Sequence, residues 1–118
     1  IDPTTQSIIL QIGSKNGNTI NELQKKNIQA IGTDANVEFI NSASQRYPDC
    51  KFVQNNPLNK MAFKDNQFTH VLCLDNMIYS IGQKKQLIQN IYEWLMPGGY
   101  FVCSVMEAKS FENIMKNT

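Results

Sequence analysis

Apolar residues fall along the chain in two alternating rhythms. Short continuous runs at residues 7–12, 28–33, 51–54, 68–74 and 100–105 have the length and β-branched character of buried strands. The run Val71-Leu72-Cys73-Leu74 is apolar without alternation, as in a strand covered on both faces of a parallel sheet. Between these runs the period changes to that of a helix. Ile20 and Leu23 stand three apart over 18–26, with Asn16 or Asn18 available as cap, and Val37, Ile40, Ala43 and Tyr47 continue to Pro48. Leu87, Ile88, Ile91, Tyr92 and Leu95 form a one-sided stripe over 84–95, ended by Pro97-Gly98-Gly99. Strands alternating with helices over short connections predict right-handed crossovers and an open parallel α/β sheet with helices on both faces.

Composition narrows the class. With 118 residues, 42% hydrophobic and 18% charged, the chain is expected to be a single domain spanning 1–118. The formal charge of +1 gives no long-range field to gather nucleic acid, and no basic stripe interleaved with aromatics is present. No apolar run approaches the ~20 residues of a membrane span. Cys50, Cys73 and Cys103 lack C-x-x-C spacing, so buried small hydrophobes in a reducing, cytoplasmic-type compartment are the expectation. His70 is the single histidine and has no recognisable catalytic partner, so a structural role is expected, and the methionines are taken as core or turn filler. The start without Met and the end soon after the last strand predict a piece of a larger protein.

In open α/β sheets, ligands bind beyond the carboxyl ends of the strands. The first strand opens into Gly13-Ser14-Lys15-Asn16-Gly17, and the second ends on Asp34, at the roughly 20-residue offset where an acidic side chain receives ribose hydroxyls. Alone, the glycine loop would be a tight turn; paired with Asp34 it predicts nucleoside binding.

These residues resemble the class I S-adenosylmethionine-dependent methyltransferases. Leu10-Gln11-Ile12-Gly13-Ser14-Lys15-Asn16-Gly17 is similar to the family's first motif, and Ile31-Gly32-Thr33-Asp34-Ala35-Asn36 to its strand-two motif. Phe63 to Leu74 is similar to the family's approach to strand four, and Trp94-Leu95-Met96-Pro97-Gly98-Gly99-Tyr100-Phe101 to its turn before strand five. The resemblance implies a Rossmann-like sheet of order 3-2-1-4-5 without the family's terminal strands. It implies S-adenosylmethionine as cofactor, held by Gly13, Ser14, Lys15, Gly17, Asp34, Ala35, Asn56, Leu74 and Asp75. Asp34 would take both ribose hydroxyls and Asn56 the adenine amino group. Asn76 and Tyr79 are weaker candidates for the substrate, an unidentified methyl acceptor for which a small molecule is favoured. Asp75 and Tyr79 have plain alternatives as an exposed carboxylate and a packed phenol.

Two departures accompany the matches. Gln11 stands where the family has a carboxylate for the cofactor's ammonium, turning a charge-assisted contact into a neutral one. Lys15 replaces a glycine, and either pairs with the cofactor's carboxylate or screens the pocket, where it would repel a sulfonium. The expected activity is therefore methyl transfer, with a degenerate, non-catalytic scaffold or assembly subunit as the alternative. A nicotinamide dinucleotide module is disfavoured because the loop lacks G-x-G-x-x-G spacing. An unpaired edge at strand five calls for cover by a partner protein or further chain.

Overall fold

The computed structural model describes residues 4–74 and 82–103. Strands β1 (Ile8–Ile12), β2 (Gln29–Asp34), β3 (Lys51–Gln54), β4 (Phe68–Cys73) and β5 (Leu95–Cys103) form one sheet in the order β3-β2-β1-β4-β5. Every pairing is parallel, as the alternation of strand and helix requires. The connections carry helices α1 (Asn18–Lys25), α2 (Val37–Arg46) and α3 (Lys84–Trp94), with one 3-10 turn at Lys60–Ala62. The order and the open parallel α/β architecture agree with the sequence.

The period-2 alternation of β1 divides the core into two layers. Leu10 and Ile12 join Phe68, Val71 and Cys73 beneath Leu87, Ile91 and Trp94 of α3. Ile20 of α1 and Ile40 and Ala43 of α2 are buried outside that cluster, where the two helices pack on β2 and β3. Trp94 is fully buried, its indole N–H donating to the carbonyl of Lys60 at 2.9 Å, and Phe63 stands edge-on to it at 5.2 Å. That bond ties the β3–β4 connection, which carries the 3-10 turn and no described α-helix, to α3.

Two local expectations change. Helix α1 is capped by neither candidate asparagine: Gly17 is its N-cap at φ 87°, and Asn16 instead accepts from the backbone N–H of Asn18. Strand β5 begins at Leu95, not at Tyr100. Leu95 pairs with Phe68, the chain bulges through Pro97-Gly98-Gly99, and pairing resumes at Tyr100 opposite His70. The turn residues thus interrupt a strand that has already started. Ser104 and Val105, expected at its end, lie outside the described residues, as do Met77, Met106 and Met115.

Candidate functional site

The carboxyl ends of β1 and β2 are joined through Thr33. Its carbonyl accepts from the backbone N–H groups of Gly13, at 2.8 Å, and Ser14, at 2.9 Å, and its hydroxyl donates to the carbonyl of Gln11 at 3.1 Å. The loop after β1 is thereby held against the end of β2, one residue from Asp34.

Asp34 organises the rest. Its Oδ2 accepts from the N–H of Lys15 at 3.2 Å and its Oδ1 from that of Asn36 at 3.0 Å. The carboxylate is half-buried, and each oxygen keeps lone-pair capacity for a further donor. Ala35 is exposed, and its carbonyl accepts from Gln54 on the neighbouring strand at 3.2 Å.

Close packing explains one glycine of the loop. A Cβ on Gly17 would sit 2.6 Å from the Phe52 ring and 3.1 Å from Ala43, and a Cβ on Gly32 would stand 2.8 Å from both Phe52 and Ser14. The half-buried Phe52 of β3 therefore lies over the two glycines, fixing the loop, α1 and β2 against one ring. Lys15 meets the conformational demand of its position without being glycine: its backbone is left-handed at φ 50°. It makes no ion pair among the described residues.

Three buried polar atoms near the carboxyl ends of β1 and β3 have no hydrogen-bond partner among the described residues: Gln11 Oε1, Ser14 Oγ and Asn55 Oδ1. Burying such groups unpaired costs about 1–3 kcal/mol each, so a polar ligand able to pair with them would be favoured there. Asn55 is a further candidate that the sequence reading did not name. The predicted Asn56 is exposed and its amide oxygen accepts from the Leu58 N–H at 2.9 Å in a local turn, whereas the buried amide oxygen of Asn55, directly after β3, has no partner among the described residues. No spacing distinguishes two adjacent asparagines; only the turn does.

The structure thus brings together Gly13, Ser14, Lys15, Gly17, Asp34 and Ala35. Leu74 follows β4 on the same edge of the sheet and is half-buried. Asp75, Asn76 and Tyr79 lie outside the described residues. A cleft of about 700 Å³ lies elsewhere, between Ile31, Val53 and the 60–65 connection, and shares no residue with this group. None of the thiols is poised as a nucleophile: burial, then the neighbouring Cys103, pushes Cys73 up to about 12, and burial also raises Cys103 and, with Asp49, Cys50. No group of residues able to hold a metal ion occurs among the described residues, and no described helix is long and apolar enough to cross a membrane.

A family model described as "Methyltransferase domain" matches residues 9–99. No curated protein matches the chain. Among solved structures, a TehB-like SAM-dependent methyltransferase from Corynebacterium glutamicum superposes with a TM-score of 0.77 at 19% identity, over 98% of this chain and 66% of that one. A SAM-dependent methyltransferase from Aquifex aeolicus gives 0.79 at 12% identity, over 98% and 72%. The Haloferax volcanii complex of the Trm112 methyltransferase activator with a methyltransferase gives 0.78 at 22% identity, over 87% of this chain but only 46% of that one. The chain therefore spans about half the length of that relative.

Proposed function

Because the chain belongs to the methyltransferase domain family, we propose that it transfers a methyl group from S-adenosylmethionine to an unidentified acceptor, a small molecule being favoured. The observation that carries this reading is Asp34 held by the N–H groups of Lys15 and Asn36 beside the loop after β1, with buried acceptors left unpartnered among the described residues at the ends of β1 and β3. Asp34, its carboxylate already oriented by two backbone N–H groups, receives the ribose hydroxyls. Gln11 Oε1 accepts from the cofactor's ammonium, and Ser14 Oγ hydrogen-bonds the same end. Asn55, with Asn56 beside it, takes the adenine amino group. The bound cofactor supplies a methyl carbon on a sulfonium, open to in-line displacement, a chemistry that needs orientation more than a general base. Leu74, with Asp75, Asn76 and Tyr79 beyond it, would face the methyl and the acceptor. Three free thiols support a reducing, cytoplasmic-type compartment.

A second reading is favoured by Gln11 and Lys15. A neutral amide replaces a carboxylate, and Lys15, without an ion pair among the described residues, stands on the loop near where a sulfonium would lie. On that reading the domain is a non-catalytic scaffold, and the likeness to a chain bound to a methyltransferase activator suggests a protein partner for it. Incubation with S-adenosylmethionine labelled in the methyl group, together with cell extract, separates the two. Label passing to an acceptor, and lost with Asp34→Ala, supports the enzyme; no transfer to any acceptor, with or without cofactor binding, supports the scaffold.

A further inference from the structure

Period-2 alternation in β3 turns Phe52 toward Gly17 and Ala43 and therefore sends Lys51 and Val53 to the opposite face of the sheet. Ile31, the register partner of Lys51, packs on that same face beside the core under α3. The β3–β4 crossover that would cover this corner carries a 3-10 turn and no described α-helix. A cleft of about 700 Å³ is left there, with Ile31, Val53, Met61 and Phe63 as its apolar lining. Its outer wall is held in place. The Met61 N–H donates to Asn59 Oδ1 at 3.1 Å, the Lys60 carbonyl accepts from the Trp94 indole, and the Phe63 ring stands edge-on to Phe68 at 5.1 Å and to Trp94 at 5.2 Å. On this anchored turn Met61 is 85% exposed, a flexible thioether side chain that fills no core.

The charged residues of the lining choose the occupant. Lys51, Lys60 and Lys64 stand against Asp65 alone, in a chain whose formal net charge is only +1. Lys60 pairs with Asp65 at 2.5 Å, whereas Lys51 and Lys64, both exposed, make no ion pair among the described residues. An apolar trough with uncompensated cations in its lining is complementary to a molecule that is apolar along its body and negative at one end. The volume falls within the roughly 300–1,000 Å³ of clefts that hold small molecules. We propose that this cleft binds a small organic anion with an apolar body, which lies along Ile31, Val53 and Met61 while its anionic group is drawn to Lys51 and Lys64. The site shares no residue with the Asp34 end and does not depend on the methyl-transfer reading.

Phenylbutanoate and phenylbutanamide serve as probes: they share an apolar body and differ in charge, and acetate supplies the charge alone. In methyl spectra of the whole chain, phenylbutanoate should shift Ile31, Val53 and Met61, and acetate at the same concentration should leave them in place. The amide should bind about fivefold more weakly or worse. Lys51→Gln and Lys64→Gln, both at exposed positions, should each weaken the anion by about two- to fivefold and leave the amide unchanged. Added salt should narrow the gap between the two probes. Equal affinity for anion and amide, anion binding unchanged in the double lysine variant, or no shift of these methyls at millimolar probe would each overturn the proposal. So would a cleft already filled in the free protein by a second copy or by further chain, seen as Ile31, Val53 and Met61 methyls that shift on dilution or are shielded from a soluble paramagnetic probe.

Discussion

The backbone N–H of Lys15 donates to Oδ2 of Asp34 at 3.2 Å, so the loop after β1 and the acidic end of β2 form one unit before any ligand arrives. Asp34 is preorganised by the segment that carries the most unusual residue of the site. A lysine in left-handed backbone keeps the loop geometry that a glycine would supply more easily.

Lys15→Gly is accordingly expected to stabilise the protein, by about 1 kcal/mol, since an L-residue pays roughly that much for left-handed backbone. Chemical denaturation measures it. The same variant reports on the side chain: tighter binding of S-adenosylmethionine would mean that the ammonium opposes the sulfonium, and weaker binding that it holds the cofactor's carboxylate.

Gly17→Ala should cost about 2–4 kcal/mol, combining left-handed strain with a 2.6 Å clash against Phe52. Phe52→Leu in the same chain should recover part of the loss, because it removes the clash and leaves the strain. A double-mutant cycle on thermal unfolding reads the coupling.

Elements were legible in the sequence because their signal is local. The α3 stripe and the β4 run fix type and position, and β3 matches its expected limits. The placement of the candidate site was legible where a motif names a residue: Gly13 and Asp34 do stand together at the carboxyl ends of β1 and β2. What escaped depends on contacts between distant residues. Gly17, not either asparagine, is the cap of α1, and the Phe52 ring from β3 leaves no room there for a side chain. The early start of β5 comes from Leu95 pairing with Phe68 ahead of the glycine bulge, a partnership no window on the chain contains. Asn55 stands out from Asn56 only once the turn to Leu58 is formed. His70 reads as structural in sequence, and its bond to Thr69 bears out part of that; its bare Nε2 needs the fold to be seen.

Trp94→Phe should lower stability by about 1–3 kcal/mol, since the Lys60 carbonyl loses its donor and the core loses volume. Trp94 is the one tryptophan of the sequence, so its blue-shifted emission reports the native core directly. That emission should red-shift in a single step with unfolding.

The Cys73 thiol titrates at about 12 in the folded protein against an ordinary 9.0, raised by burial and then by Cys103. A raised thiol favours the protonated form in the fold, so its contribution is full below pH 9.0 and is lost as pH climbs toward 12. Stability should fall across that window, and Cys73→Ala should flatten the fall while lowering stability at neutral pH. Urea titrations at a series of pH values test this, and native Cys73 should resist alkylation until the protein unfolds.

The central claim is that the Asp34 end of the sheet binds the cofactor of a methyltransferase, and calorimetric titration with S-adenosylmethionine and S-adenosylhomocysteine tests it most directly. One saturable site is expected for the wild type. Asp34→Ala should abolish the heat, and Asp34→Asn, which keeps an acceptor for the loop N–H groups, should remain folded and bind at least about tenfold more weakly. No heat with the wild-type protein, or binding unchanged in folded Asp34→Ala, would contradict the account.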